Sequence, residues 1–179
     1  MRKLGMDELN RKSVDEFRSA EKIPVIALLE NIRSAYNVGS VFRTADAFLI
    51  EAVFITGYTA KPPHKEITKT ALGAQDSVDW KYFENTKLAI EQLKDDQYKV
   101  FAVEQVANSI PLEKLPNLGI NKIAFIFGNE VSGIEQETLA LCDGCIEIPQ
   151  FGIKHSLNIS VAAGIVLWEA VKIKSLLTA

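Results

Sequence analysis

Apolar and polar positions along the chain follow two spacings. Short runs that are apolar almost throughout recur at Lys22 to Glu30, Ala52 to Gly57, Tyr98 to Val103, Lys122 to Phe127 and Gly144 to Ile148. Runs of that length and density predict strands buried on both faces, as in a parallel sheet. Val78 to Phe83 alternates instead, which predicts an edge strand. Helical spacing separates these runs. Val38, Val41, Phe42, Ala45 and Leu49 share one stripe behind Asn37, a candidate N-cap. Asn85 to Asp96 predicts an amphipathic helix with Leu88, Ile90 and Leu93, and shorter helices are expected over Glu66 to Leu72 and Glu135 to Leu141. Asp7 to Ala20 reads as a peripheral helix with few apolar points. Ser109 to Leu118, carrying Pro111 and Pro116, reads as loop. Strands alternating with helices predict an α/β domain with a mainly parallel sheet flanked by helices. Residues 1–22 are expected to be an N-terminal extension to one domain over 23–179.

The stretch from Ile146 to Ala170 departs from this rhythm. It opens as a strand, breaks at Pro149 and Gly152, and predicts a helix from Ser156. No charged residue occurs between Ser156 and Trp168, so that helix is expected to be covered on more than one side. Its first turn nevertheless carries Ser156, Asn158 and Ser160. Two readings stand: a core helix with a serine N-cap, or the polar head of a binding site. Ligands on parallel sheets bind beyond the carboxyl ends of the strands. Three unusual loops lie there, after Val103 (Glu104, Gln105), after Phe127 (Gly128-Asn-Glu130 with Gly133) and after Ile148.

Composition narrows the classes. The 179 residues are 47% hydrophobic, enough for one real core, and the net charge of −3 gives no bulk attraction to nucleic acid. Charge is uneven: from Arg33 to Thr70 five Lys or Arg (Arg33, Arg43, Lys61, Lys65, Lys69) face three acids, a local basic face. Lys61-Pro-Pro-His-Lys65 is a stiffened basic loop. Cys142-Asp-Gly-Cys145 is the single C-x-x-C, without the second pair that a zinc site needs, and it closes a helix rather than opening one, so a structural use is expected. His64 and His155 do not stand in a metal spacing. No G-x-G-x-x-G, Walker lysine or G-x-S-x-G elbow occurs. The N-terminus has no apolar signal core and the C-terminal apolar run is too short for a bilayer; neither a membrane nor a metal is expected, and the cytoplasm is the expected compartment.

Three segments together go further. N-I-R-S-A-Y-N-V-G-S-V-F-R-T-A-D-A-F, then F-I-F-G-N-E-V-S-G-I, then I-P-Q-F-G-I-K-H-S-L-N-I-S-V-A resemble, in order, the three motifs of the SpoU branch of the SPOUT RNA methyltransferases. The resemblance covers roughly residues 23–175. It implies a deep trefoil knot near the C-terminus, which general rules of chain topology would not have predicted. It implies S-adenosylmethionine as cofactor, methylation of a ribose 2′-hydroxyl in tRNA or rRNA, and a homodimer with the site near its interface.

By position, the cofactor contacts implied by the resemblance fall on Glu104, Gln105, Gly128, Ile148 and Leu157, and the catalytic set on Asn37, Arg43, Glu130, Ser156 and Asn158. A guanidinium does not deprotonate under ordinary conditions, so Arg43 is expected to anchor a phosphate and stabilise charge on oxygen rather than act as base. Ser156 and Asn158 are expected to orient the ribose and the loop, and Glu130 to hold that loop or Arg43. Many relatives carry an extra RNA-binding domain before the catalytic one, whereas here about 22 residues precede the first strand. RNA contacts are therefore assigned to Arg33, Lys61, His64, Lys65 and Lys69, with Lys154 and His155 placed to touch substrate. A base-methylating relative and a non-catalytic RNA- or adenosyl-ligand-binding module are the alternatives.

Overall fold

A single seven-stranded sheet organises the computed structural model, which describes residues 1–9, 11–153 and 156–177, with side chains other than those of Met6, Asp7 and 173–177. In chain order the elements are α1 (Val14–Ser19), β1 (Ile23–Glu30), α2 (Ala35–Ala47), β2 (Ile50–Thr56), α3 (Lys65–Ala71), α4 (Ala74–Ser77), β3 (Asp79–Phe83), α5 (Thr86–Asp95), β4 (Lys99–Val103), β5 (Ile110–Pro111), β6 (Ile123–Phe127), α6 (Gln136–Leu141), β7 (Gly144–Glu147) and α7 (Ile159–Leu177). The strand order is β3-β2-β1-β6-β4-β7-β5, and every neighbouring pair is parallel. Ala27 of β1 lies between Val53 of β2 and Phe125 of β6, which sets the register of the centre.

The two-residue period of β1 decides which helix covers which face. Val25, Ala27 and Leu29 join the core formed with α2 and α7. Ile26 and Leu28 join the opposite core, with Ala89, Ile90 and Leu93 of α5 and with Ile134 and Leu139. Each fully covered Leu or Val side chain contributes about 1.5–3 kcal/mol of transfer energy, and β1 from Val25 to Leu29 is at most 3% exposed. The carboxyl ends of β1, β6, β4 and β7 lie side by side. The chain crosses from one side of β1 to the other between β3 and β4, so this edge is the expected ligand edge.

Four expectations are corrected. Helix α2 is capped by Ser34, whose hydroxyl accepts from the Asn37 amide, so Asn37 lies inside the first turn and keeps its amide side chain for other partners. The peripheral N-terminal helix is shorter: a 3-10 turn at Met6–Leu9, then α1 behind a Ser13/Glu16 capping box, with Phe17 buried in the main core. Leu88 is exposed, and α5 buries Thr86, Ala89, Ile90 and Leu93 instead. The loop expected over 109–118 holds β5 and a 3-10 turn, Leu112–Leu118, that buries Leu112 and Leu115; its prolines fit both elements because the strand is at an edge and the turn is not an α-helix.

Helices α2 and α3 meet at Gly39. A Cβ there would stand 2.1 Å from the Thr70 hydroxyl oxygen and 2.4 Å from the Ile67 carbonyl oxygen. Gly39→Ala gains about 1 kcal/mol of helix propensity but forces the helices apart, at roughly 1–3 kcal/mol or more. The backbone contact cannot yield by a rotamer change, so a net loss of stability is expected. A thermal melt should show a lowered Tm; an unchanged or raised Tm would contradict the close approach.

Candidate active site

The three loops singled out from the sequence converge at the carboxyl edge of the sheet. They line a cleft of about 630 Å³ with walls from Val103 to Gln105, from Phe127 to Ile134, from Glu147, Ile148 and Gln150, and from Ser156 to Ile159 with Ala162. That volume lies within the range of small-molecule sites. Glu104, Gln105, Gly128, Ile148 and Leu157, the expected cofactor contacts, all line it, as do Glu130, Ser156 and Asn158.

The loop after β6 is shaped by its own backbone. Asn129 and Gly133 exchange amide-to-carbonyl hydrogen bonds of 3.1 and 3.0 Å. Asn129 Oδ1 accepts from the amides of Val131 and Ser132, while its Nδ2 donates to the Asn31 carbonyl and the Tyr58 hydroxyl. Gly133 has φ +68° and a Cβ there would lie 2.4 Å from Glu104 Oε2; a Cβ on Gly128 would lie 2.5 Å from the Gly133 carbonyl carbon. Both positions therefore require glycine. Glu104 holds the loop from below, accepting from the amides of Gln105 and Ile134. Glu30, fully buried at the end of β1, accepts from the Glu135 amide and the Thr138 hydroxyl and so fixes the start of α6. Asn129 and Glu30 were missed in the sequence. A carboxylate at the end of a buried apolar run was the one available sign for Glu30.

Glu130 joins the three motif segments. Its carboxylate accepts from the Arg33 amide at 2.8 Å, the Ser34 amide at 3.0 Å and Asn37 Nδ2 at 2.9 Å. Asn37 Oδ1 in turn accepts from Asn158 Nδ2 at 3.2 Å, and Asn158 Oδ1 accepts from the amide and hydroxyl of Ser160. Asn158, rather than Ser156, thus caps α7, which opens at Ile159; Ser156 lies exposed on the cleft lining. The carboxylate also faces the N-terminal end of α2, where a negative charge is favoured. Partial burial pushes the Glu130 carboxyl upward, but the Arg33 amide, the Asn37 side chain, its own amide and the Ser34 amide outweigh it and hold it below the usual range.

Arg43 stands apart. It is exposed on α2 and lines a second depression with Ser40, Thr44, Ala47, Phe48, Lys69 and Thr70, not the main cleft. Glu130 therefore holds the loop and α2, not Arg43. Arg33, Lys61, His64, Lys65 and Lys69 are all exposed; His64 Nδ1 also caps α3 by accepting from the Glu66 amide. Lys154 and His155 lie outside the described residues. Cys142 and Cys145 are free thiols, and burial pushes Cys142 up to about 12 and Cys145 upward, the opposite of a reactive thiolate. Among the described residues no group of three His, Cys, Asp or Glu is placed to hold a metal.

Because the folded carboxyl of Glu130 is depressed, its contribution to stability is full above the unfolded value of about 4.3 and is lost as pH falls through the folded value. Glu130→Gln should therefore destabilise the protein at pH 7, with the gap to wild type shrinking towards pH 3. Urea denaturation at the two pH values checks this; a gap independent of pH would contradict it.

Known proteins resemble this chain in sequence and in fold. The model of the SpoU rRNA Methylase family matches residues 24–168. The 23S rRNA (guanosine-2′-O-)-methyltransferase RlmB of Vibrio vulnificus is 29% identical over 166 residues, 92% of this chain and 66% of that protein. The tRNA (guanosine(18)-2′-O)-methyltransferase of Thermus thermophilus is 30% identical over 164 residues, 91% of this chain and 82% of that protein. The chain thus spans just under two-thirds of the length of the Vibrio relative. The crystal structure of an AdoMet-bound rRNA methyltransferase from Sinorhizobium meliloti superposes with a TM-score of 0.78 at 25% identity, over 87% of this chain and 59% of that one. With the family match running from β1 into α7, this chain belongs to the SpoU rRNA Methylase family.

Proposed function

We propose that the protein transfers a methyl group from S-adenosylmethionine to a ribose 2′-hydroxyl of tRNA or rRNA. The observation that carries this reading is the convergence of three loops on one cleft, with the Glu130–Asn37–Asn158 network at its edge. The names of the Vibrio and Thermus relatives, both guanosine-2′-O methyltransferases, support it. The cleft fits the donor: apolar Val103, Ile148 and Leu157 on its lining offer surface for a purine, beside the polar Glu104, Gln105 and Asn158.

When bound, the donor supplies a methyl group already activated by its sulfonium charge. The chain's own residues then align and stabilise. Gly128, Ile148 and Leu157 hold the adenosine part, with Glu104 and Gln105 beside it. Glu130 keeps the first turn of α2 against the loop, so that Asn37 and Asn158 stand in one fixed geometry. Ser156 and Asn158 orient the ribose. Arg43 anchors the adjacent phosphate and stabilises charge developing on the 2′-oxygen; its guanidinium stays protonated, and the proton lost from the 2′-hydroxyl passes to water at the open mouth of the cleft.

The separation of Arg43 from the cleft supports a site completed by a second copy of the chain. Val161, Ile165 and Trp168 form an exposed apolar stripe on α7, 50%, 39% and 53% exposed, and Trp168 touches Phe48, which lines the Arg43 depression. A twofold pairing through α7 would cover this stripe and bring one copy's Arg43 towards the other's cleft. The reading extends to a deep trefoil knot that threads α7, supported by the bond from Asn158 back to Asn37 and by the contacts of α7 with α2 and β1. It also extends to one catalytic unit over 23–179, with 1–22 as an extension, acting in the cytoplasm.

Incubating unmodified total tRNA and rRNA with the protein and labelled donor, then identifying labelled nucleosides by mass spectrometry, tests the function. A 2′-O-methylated nucleoside is expected; a base-methylated nucleoside, or donor binding without transfer to any RNA, would refute it. Arg43→Ala should abolish transfer while leaving donor affinity within a few-fold, measured by calorimetry. Two inactive variants, Arg43→Ala and Asn158→Ala, should regain part of the activity when refolded together, since a mixed dimer keeps one intact site; no regain would place Arg43 in its own chain's site. Ile165→Glu should shift the protein to a monomer in sedimentation, and an unchanged mass would contradict pairing through α7.

A further inference from the structure

Beside the cleft, on the side away from Ile148, the sheet edge carries exposed aromatic rings that the reaction chemistry does not use. Tyr58 follows β2 and is 64% exposed. It is nevertheless held firmly. Its hydroxyl accepts from Asn129 Nδ2 at 2.7 Å, next in sequence to Glu130, and Asn129 is itself buried. Its amide donates to Asn31 Oδ1 at 3.4 Å, and the neighbouring Thr59 hydroxyl, buried, bonds the Leu29 carbonyl and the Ile32 amide. Tyr82 continues the row: its hydroxyl donates to the Gly57 carbonyl at 3.1 Å, and the Lys61 ammonium stands 3.6 Å from its ring centre. An unbroken chain of contacts thus runs from Glu130 through Asn129, Tyr58, Gly57 and Tyr82 to Lys61.

A ring fixed at its hydroxyl yet open on its flanks has lost its conformational freedom without covering its apolar surface. That is the state of a pre-organised stacking surface. Tyr36, next in sequence to Asn37, is 42% exposed on α2, with the Lys69 ammonium 5.9 Å from its ring. Exposed aromatics interleaved with lysines match the chemistry of single-stranded RNA, whose bases stack while its phosphates take the charges. Duplex RNA does not offer its base faces.

We infer that Tyr58, extended by Tyr82 and Lys61, is a stacking platform for an unpaired base flanking the ribose presented to the cleft. The substrate segment is then a loop or other unpaired region of RNA, not a helix. This rests on the reading of the cleft as an RNA ribose methyltransferase site. Tyr58 gives the base its face, and Lys61, steered by the Tyr82 ring, takes a neighbouring phosphate.

The test uses the full chain and two probes: an RNA hairpin with a seven-nucleotide unpaired loop carrying 2-aminopurine, and a blunt RNA duplex of the same stem. Wild type should prefer the hairpin and quench the 2-aminopurine fluorescence. Tyr58→Ala should weaken hairpin binding roughly 5- to 100-fold, remove the quench and erase the preference over duplex. Tyr58→Phe, which keeps the ring, should retain the quench. Lys61→Ala should lower the salt dependence of binding by about 0.7–0.9 in the log–log slope and leave the quench in place. Equal binding of hairpin and duplex by wild type, or Tyr58→Ala that binds and quenches as wild type does, overturns the inference. Circular dichroism checks folding; should Tyr58→Ala not fold, Tyr58→Leu and Tyr82→Ala carry the same comparison. Donor calorimetry and methyl transfer, run in parallel, separate the two failures. Transfer intact with Tyr58→Ala silent sinks the platform alone, whereas wild type without donor binding or transfer sinks the cleft reading.

Discussion

One carboxylate ties the site together. Glu130 binds two backbone amides at the entry to α2 and the side chain of Asn37, and Asn37 passes the connection to Asn158 at the head of α7. The Asn37–Glu130 bond joins residues 93 positions apart and the Asn37–Asn158 bond residues 121 apart. Hydrogen bonds to a charged acceptor contribute about 1.5–3 kcal/mol each when shielded, and less at a carboxylate as open as this one. Their value here is geometric. They fix the loop after β6, the first turn of α2 and the start of α7 relative to one another, at the point where three strands end.

The sheet makes that convergence possible. Parallel pairing throughout places the carboxyl ends of β1, β6, β4 and β7 on one edge, and the two covered faces leave that edge as the open polar surface. Glu30 and Glu104 then brace the loop after β6 from either side, one by holding the start of α6, the other by holding Ile134. Glycine at 128 and 133 lets the strands of this loop lie closer than any side chain would permit. The cleft is thus braced on the side of β6, while α7 carries the exposed apolar stripe of Val161, Ile165 and Trp168.

Much of this was legible in the chain. Continuous apolar runs marked β1, β2, β4, β6 and β7 because burial on both faces demands them, and the charge-free stretch before Trp168 marked α7. The three loops of the cleft followed from strand ends. What was not legible depended on partners distant in sequence. Local spacing assigns Asn37 to a cap, but Ser34 takes that task and Asn37 binds Glu130. Ser156 looked like the start of α7, yet Asn158 caps it because its amide is also held by Asn37. Asn129 bonds within its own loop and across to Asn31 and Tyr58, and no linear pattern announces those partners. Helical spacing does put Arg43 off the buried stripe of α2 and beside the small Ser40 and Ala47, which line its depression; the contribution of Lys69 and Thr70 from α3 depends on tertiary packing.

On the proposed function, the cleft between the ends of β4, β6 and β7 receives the methyl donor. A crystal structure with S-adenosylmethionine bound tests it most directly. The adenosine is expected among Gly128, Ile148 and Leu157, with the methyl group directed towards the edge held by Glu130, Asn37 and Asn158. Donor bound elsewhere on the protein, or an empty cleft at saturating donor, would contradict it.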